Sequence, residues 1–367
     1  MNYTSKIKYH HPGKLSVNGL GLDYNIFGEA LADATLALGH LDGSLKKLQN
    51  PQLLVSPLTA KEATISSSIE GTQSTVSDVF LLEAGGMPKY SDTLQVKNYR
   101  SAINFATDEV IKGRPLTQHL IKTLHQMLLT DVRHVGKLGQ FRDDRVWIAE
   151  KRGDPIEKAL YIPPEHILVI DYVENLLEYI EKGQEHTLIK SGIAHYQFEA
   201  VHPFEDGNGR IGRLLIPLVL FCGGKLSRPI LYASGYFEAH RDEYMSALRE
   251  VDKTGKYDSW LLFYFKSVAA QMTETQKLID DIYLLHERTK NHFPVTKSPY
   301  LSPFIDFMFK YPNFTKPMVK RILKIDSDMT VNRLIAMFIG ADLARALKSK
   351  HKRAKIYSYF PLINLLS

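Results

Sequence analysis

The chain has 367 residues, 44% hydrophobic and 23% charged, with a formal net charge of +6, an ordinary soluble balance that predicts two or three domains with ample core. Its single cysteine, Cys222, excludes an internal disulfide and any thiolate metal cluster, which fits a reducing, cytoplasmic setting. The first twenty residues lack the apolar segment of a signal peptide and the clean apolar run at 214–222 is too short to cross a bilayer, so no membrane association is expected.

In chain order, His10-His11-Pro12-Gly13 reads as an exposed turn, and residues 24–48 as a helix with Ile26, Leu31, Leu36, Leu38 and Leu41 at its apolar positions. Thr59 and Glu62 have capping-box spacing, which predicts a helix over about 59–70 with Gly71 as its C′ residue. Glu70 then lies at the carboxyl end, where the helix dipole disfavours an anion, so it needs solvent or an external cation. Solvent is the plainer choice. Residues 91–109 and 116–129 read as amphipathic helices. Two β-prone runs follow, Val146-Trp147-Ile148 and Leu160-Tyr161-Ile162, about a polar turn at Gly153-Asp154. They predict a hairpin. A helix over 171–181 ends at Gly183.

The stretch richest in chemistry is His202-Pro203-Phe204-Glu205-Asp206-Gly207-Asn208-Gly209-Arg210-Ile211-Gly212-Arg213. Residues 187–200 lead into it as a helix, with Ile189, Ile193, Tyr196 and Ala200 on one face, and 214–222 leave it as a buried helix that stops at Gly223-Gly224. Gly207 to Gly209 therefore opens the second helix. Glycines there allow positive φ and turn successive N–H groups inward, an anion nest at a positive helix end. Arg210 and Arg213, three apart, extend that nest on one side. Singly, a His before Pro is a loop residue and Asn-Gly a turn. Turn formation does not require the whole ordered set. His titrates near neutral pH and can take a hydroxyl proton. One Asp can suffice for a Mg²⁺ that keeps most of its waters and binds phosphate oxygens. Arginine and N–H donors stabilise charge that gathers on phosphates. The stretch looks built for a polyphosphate, with Phe204 as the core anchor that aims it.

This stretch resembles the signature of the Fic (filamentation induced by cAMP) family, His-x-Phe-x-Asp/Glu-Gly-Asn-Gly-Arg-x-x-Arg, with every fixed position matched. The resemblance implies a mostly α fold, a Fic-type helical core with a small β-hairpin flap, and transfer of AMP from ATP to a Tyr, Thr or Ser hydroxyl of a protein, itself included. It assigns His202 as the catalytic base, Asp206 as the Mg²⁺ ligand, and Gly207, Asn208, Gly209, Arg210, Ile211, Gly212 and Arg213 to the nucleotide. Ser66-Ser67-Ser68-Ile69-Glu70-Gly71 matches the family's inhibitory-helix pattern Ser/Thr-x-x-x-Glu-Gly/Asn. By that analogy Glu70, steadied by Ser66, pairs with Arg213 in the place of the γ-phosphate. The hairpin becomes the flap, whose Val146, Trp147 and Ile148 clamp the target segment by strand-like bonds. Family members make adenine-side contacts beyond the motif, often through an Asn and a Tyr. Here His240 stands in the place of the Asn, and Tyr244 matches the Tyr.

Residues 260–286 read as a long helix that closes the core. Asn291-His292-Phe293-Pro294 and Ser298-Pro299 mark a boundary. The expected division is 1–95 with the inhibitory helix, 96–290 as catalytic core, and 293–367 as a small basic domain. From Lys310 onward the chain holds 12 Lys and Arg against 3 Asp, a net +9. Residues 315–325 and 330–347 read as helices about a turn at Asp326-Ser327-Asp328, then come a basic stretch at 348–355 and a β-prone run at 356–359. That order resembles the winged helix-turn-helix domain often appended to such proteins. Thr330, Asn332 and Arg333 would begin its recognition helix and Lys350, Lys352 and Arg353 would lie in the wing, with DNA as partner. A basic domain packed on the core or on a protein partner is the plainer alternative. The first expectation is an autoinhibited protein adenylyltransferase. Beside it stand a nucleotide-sensing DNA-binding regulator and a Fic enzyme that uses another donor or removes AMP. A homodimer is the default oligomer of a soluble protein.

Overall fold

The structure is a computed structural model and describes residues 8–47, 52–151, 153–293, 298–347 and 355–367. It is mostly helical. The helices are α1 (Tyr24–Lys47), α2 (Gln52–Ile69), α3 (Val76–Glu83), α4 (Thr93–Ile111), α5 (Gln118–Leu129), α6 (Val169–Lys182), α7 (Thr187–Val201) and α8 (Asn208–Cys222). They continue as α9 (Ser234–Ala239), α10 (Arg241–Thr254), α11 (Asp258–Asn291), α12 (Leu301–Lys310), α13 (Lys316–Leu323), α14 (Asp328–Gly340) and α15 (Phe360–Leu366). Short strands accompany them: β1 (Ile148–Ala149), β2 (Ala159–Tyr161), β3 (Asn313–Thr315), β4 (Arg345–Ala346) and β5 (Ile356–Ser358). Among the described residues no helix is long and apolar enough to cross a membrane.

The chain packs as two units, neither of them contiguous: Met1–Gly43 with Ser101–Met272, and Ser44–Arg100 with Thr273–Ser367. In the first unit α7 and α8 lie at the centre and are buried on nearly every side. Their approach depends on Gly212, where a Cβ would stand 2.5 Å from Glu199 Oε1 and 3.3 Å from His195 Nδ1. Around them α6 turns inward Val169, Tyr172, Val173, Leu176, Tyr179 and Ile180, the stripe expected of an amphipathic helix. Trp260 of α11 is fully buried, and its indole N–H donates to the Gly192 carbonyl at 2.9 Å. His10 and His11 are not a free turn. The His10 N–H donates to the Ile162 carbonyl at 2.8 Å, and His11 Nε2 meets Glu165 at 2.6 Å. The N-terminal segment thus straps the base of the hairpin. Cys222 ends α8 at an exposed position.

In the second unit α2 begins at Gln52, seven residues before the expected start, and runs through Pro57. Thr59 is an interior residue whose hydroxyl donates to the Val55 carbonyl at 2.7 Å, so it caps nothing. The buried Arg100 guanidinium reaches the Ser56 carbonyl at 3.2 Å, Ser56 Oγ at 2.6 Å and Thr59 Oγ1 at 3.3 Å, and pairs with Glu83. That tie holds the first turns of α2, where proline removes a helix hydrogen bond. The carboxyl end falls where expected: Gly71 has φ +93°. Toward the C-terminus, α13 ends at Lys324 in the left-handed region and Ser327 caps α14. The helix expected to reach 347 stops at Gly340. Asp342 takes φ +51°, and Arg345–Ala346 becomes an edge strand. The sheet order is β3-β5-β4, all antiparallel, with Phe314 and Ala346 both opposite Tyr357. Pairing with β5 outweighs the helical propensity of 341–347.

Candidate active site

The site starts where α7 stops. A residue before proline is disfavoured in the helical region, and His202 leaves the helix with φ 49° and ψ 62°. Its Nδ1 lies 3.3 Å from the Glu199 carbonyl. A carbonyl only accepts, so Nδ1 is the donor in this contact, and in the neutral imidazole that leaves the lone pair on Nε2. Phe204 is fully buried with its ring stacked on His125, centroids 3.9 Å apart and planes 5° apart. It is the anchor the sequence suggested.

Asn208 closes the loop. Its Oδ1 accepts from the Phe204 N–H at 2.9 Å, and its Nδ2 donates to the Phe204 carbonyl at 2.8 Å. Its side chain is therefore a staple, and what it offers an anion is its main-chain N–H. Asp206 Oδ1 accepts from the Gly207 N–H at 2.8 Å and stands 3.9 Å from an Arg210 guanidinium nitrogen. Gly207 has φ +79°, and a Cβ there would lie 2.9 Å from Leu128 Cδ2. The helix α8 then begins without a side-chain cap. Helix geometry leaves the first-turn N–H groups of Asn208 and Gly209 without an intrahelical acceptor, at the positive end of the dipole. Arg210 is 3% exposed and Arg213 4%, and desolvated cations attract an anion more strongly than solvated ones. Ile211 is fully buried and Gly212 faces α7. Both serve the packing of α8, whereas Gly207, Asn208, Gly209, Arg210 and Arg213 form the candidate anion-facing set.

Two residues behind the loop were not assigned a role from sequence. His125 Nδ1 accepts from the Gly139 N–H at 3.0 Å, and its Nε2 lies 3.1 Å from the Asp206 carbonyl. Burial pushes this imidazole down to about 4, which matches one accepting and one donating nitrogen. The Arg142 Nε donates to the His202 carbonyl at 2.8 Å. Gly139-Gln140-Phe141-Arg142 is visible in the sequence, but a buried arginine has no signature that separates it from a surface one.

In the flap β1 and β2 pair antiparallel, Ile148 with Tyr161 and Ala149 with Ala159. The pairing is shorter than expected, and Val146 and Trp147 precede the strand. The Trp147 indole instead donates to the Asp154 carbonyl at 2.8 Å. The Tyr161 hydroxyl donates to the Ala200 carbonyl at 2.7 Å and fastens the hairpin to the end of α7. His240 stacks on Tyr236, with centroids 3.9 Å apart. Tyr244 is a core residue: its ring stacks on Phe237 and its hydroxyl meets His195 Nε2 at 2.8 Å. Burial, with the Arg213 charge acting in the same direction, pushes His195 down to about 3.

In the second unit Ser66 is buried and Glu70 exposed, at the end of α2. The Thr330 N–H donates to Ser327 Oγ at 3.2 Å, and Asn332 and Arg333 are exposed on α14. Lys350, Lys352 and Arg353 lie outside the described residues.

Residues 28–108 match the Fic/DOC family N-terminal model, and residues 115–220 the Fic/DOC family model. An Aquifex aeolicus protein named a probable protein adenylyltransferase is 31% identical over 96 residues, 26% of this chain and 28% of that protein. The protein adenylyltransferase Fic of Drosophila mojavensis is 29% identical over 126 residues, 34% of this chain and 23% of its own length. The matches therefore span less than a third of either relative. A Fic family protein from Desulfovibrio desulfuricans G20 shares the fold, with TM-score 0.57 and 19% identity over 90% of this chain and 95% of that one. A Caenorhabditis elegans Fic-1 fragment does so with TM-score 0.53 and 18% identity over 69% of this chain and 74% of its own. This chain carries the N-terminal and the Fic domains of the Fic/DOC family.

Proposed function

We propose that this protein is a protein adenylyltransferase. The observation that carries the proposal is one loop that presents a His whose Nδ1 faces a carbonyl, a carboxylate, a helix start and two buried arginines. The target hydroxyl oxygen attacks the α-phosphorus of ATP while its proton passes to His202 Nε2. The bond from that phosphorus to the bridging oxygen breaks, and pyrophosphate leaves with the electron pair. Arg210, Arg213 and the first-turn N–H groups of α8 hold the phosphates and stabilise the leaving charge. Asp206 fits Mg²⁺: it is a hard oxygen donor placed beside the groups that bind phosphate. When bound, Mg²⁺ neutralises charge on the phosphate oxygens. The flap edge at 146–148 receives the target segment by strand addition, and the stacked His240–Tyr236 pair offers a flat face for a base.

Glu70 acts as the brake on this reaction, a role supported by the inhibitory-helix pattern at 66–71. Purified Glu70→Gly protein, given Mg²⁺ and α-labelled ATP, should carry more label than wild type. His202→Ala added to it should abolish the label. No label on Glu70→Gly while ATP still binds would overturn the proposal and favour another donor or the removal of AMP by the same residues.

A DNA-binding role for residues 298–367 is supported by the element order α12-β3-α13-α14-β4-β5, which is that of a winged helix-turn-helix, with Asn332 and Arg333 exposed on α14. Thr330 lies in the first turn of the same helix, its main-chain N–H held by the Ser327 cap. Duplex DNA should bind with a steep salt dependence that Arg333→Ala or loss of Lys350, Lys352 and Arg353 makes shallower. An unchanged salt slope in both variants would leave a protein-binding domain as the better account.

A further inference from the structure

A loop that turns its N–H groups toward an anion turns its carbonyls the other way, and each carbonyl buried there needs a donor. In this protein the donors come from two residues outside the signature. The Arg142 main-chain N–H donates to the Pro203 carbonyl at 2.9 Å. Its guanidinium donates to the carbonyls of His202 at 2.8 Å, Val201 at 3.3 Å, Pro164 at 2.6 Å and Asp144 at 3.3 Å. His125 Nε2–H donates to the Asp206 carbonyl at 3.1 Å while its Nδ1 accepts from Gly139. The carbonyls of residues 201, 202, 203 and 206 are thus all held from behind.

These contacts are unusual in kind. The hydrogen-bond acceptors that surround the buried Arg142 are main-chain carbonyls, at the base of the flap and at the turn into the motif. A guanidinium is a rigid fork of five donors, so four carbonyls on one fork fix the segments 144, 164 and 201–202 relative to one another. His125 does two things at once: its ring stacks on Phe204, and its two nitrogens join the Gly139 turn to the residue that bears the candidate metal-binding carboxylate.

We propose that His125 and Arg142 are positioning residues that set the N–H-inward shape of the loop, and through it the placement of Asp206 and His202. The proposal rests on the loop being an anion site, but its first test needs no nucleotide. His125→Phe keeps a ring on Phe204 and deletes both hydrogen bonds, whereas His125→Gln retains one donor and one acceptor. Arg142→Lys keeps the charge but cannot span the carbonyls.

The measurement is hydrogen exchange of the full chain without ligand, followed by mass spectrometry. His125→Phe should speed exchange in the 203–211 peptide about tenfold, the scale of one lost hydrogen bond, and leave 214–222 unchanged. His125→Gln should stay within about threefold of wild type. Where His125→Phe does not fold, Arg142→Lys should produce the same local loss. Unchanged exchange over 203–211 would overturn the proposal. So would an equal rise along α8, since that would mark a packing role alone. Affinity for Mg²⁺ and ATP, measured by calorimetry on the same variants, should fall with the local protection, and an unaltered affinity would also contradict it. Loss of protection as described in a protein that transfers no AMP would sink the proposed function and leave this inference standing.

Discussion

Gly207 and His195 show how individual residues tie the chemistry to the core. Gly207 holds φ +79° with Leu128 where a Cβ would go, so Gly207→Ala combines backbone strain with a steric push. It should cost about 1–2 kcal/mol of stability, measured by urea unfolding, with a further loss of nucleotide affinity. Wild-type affinity in that variant would show that the loop tolerates another path. His195 is neutral in the fold, pushed down to about 3. Its folded pKa lies below the unfolded value, so the unfolded chain binds the extra proton first as pH falls. Stability present above about pH 6.5 is therefore lost between there and about pH 3. By pH 4.5 the group should contribute a loss of about 2–3 kcal/mol. His195→Gln should fall less steeply than wild type over that range, and equal slopes would contradict the assignment.

At the scale of elements, the sequence was most legible where chemistry fixes residue type. The helix–loop–helix around His202 to Arg213 could be read because a base, a carboxylate, glycines and arginines must stand in that order. Gly71 as the end of α2 could be read because positive φ favours glycine. The start of α2 could not. The Thr59–Glu62 spacing pointed to a later start, but the tie that holds the first turns comes from Arg100, some forty residues away in sequence. For the same reason β4 was read as helix, since its partner β5 lies beyond a basic stretch. His125 and Arg142 escaped notice because only burial gives them their role. If Arg100 does hold α2, Arg100→Met should leave Glu83 without its partner and cost about 3 kcal/mol. Thermal unfolding of that variant, alone and with Glu83→Gln, would check it. Additive effects of the two substitutions would contradict a direct tie.

At the scale of the molecule, the packing units join segments that the sequence separates. Residues 44–100 pack with 273–367, while the motif belongs with 101–272. Expected boundaries at 95 and 290 followed motifs and prolines, whereas the units follow contacts made across long stretches of chain. Proposed regulation and proposed chemistry are thus carried on different units: Glu70 on the second, His202 on the first. Substitutions at Arg100 should therefore alter the action of Glu70 without altering the chemistry of His202. In the Glu70→Gly background, adding Arg100→Met should leave the rate of labelling unchanged within about threefold.

The most direct test of AMP transfer compares α-labelled with γ-labelled ATP on Glu70→Gly protein in the presence of Mg²⁺. Label from the α position alone, absent in the His202→Ala variant, is the predicted result. Label from the γ position, or equal labelling with and without His202, would contradict it.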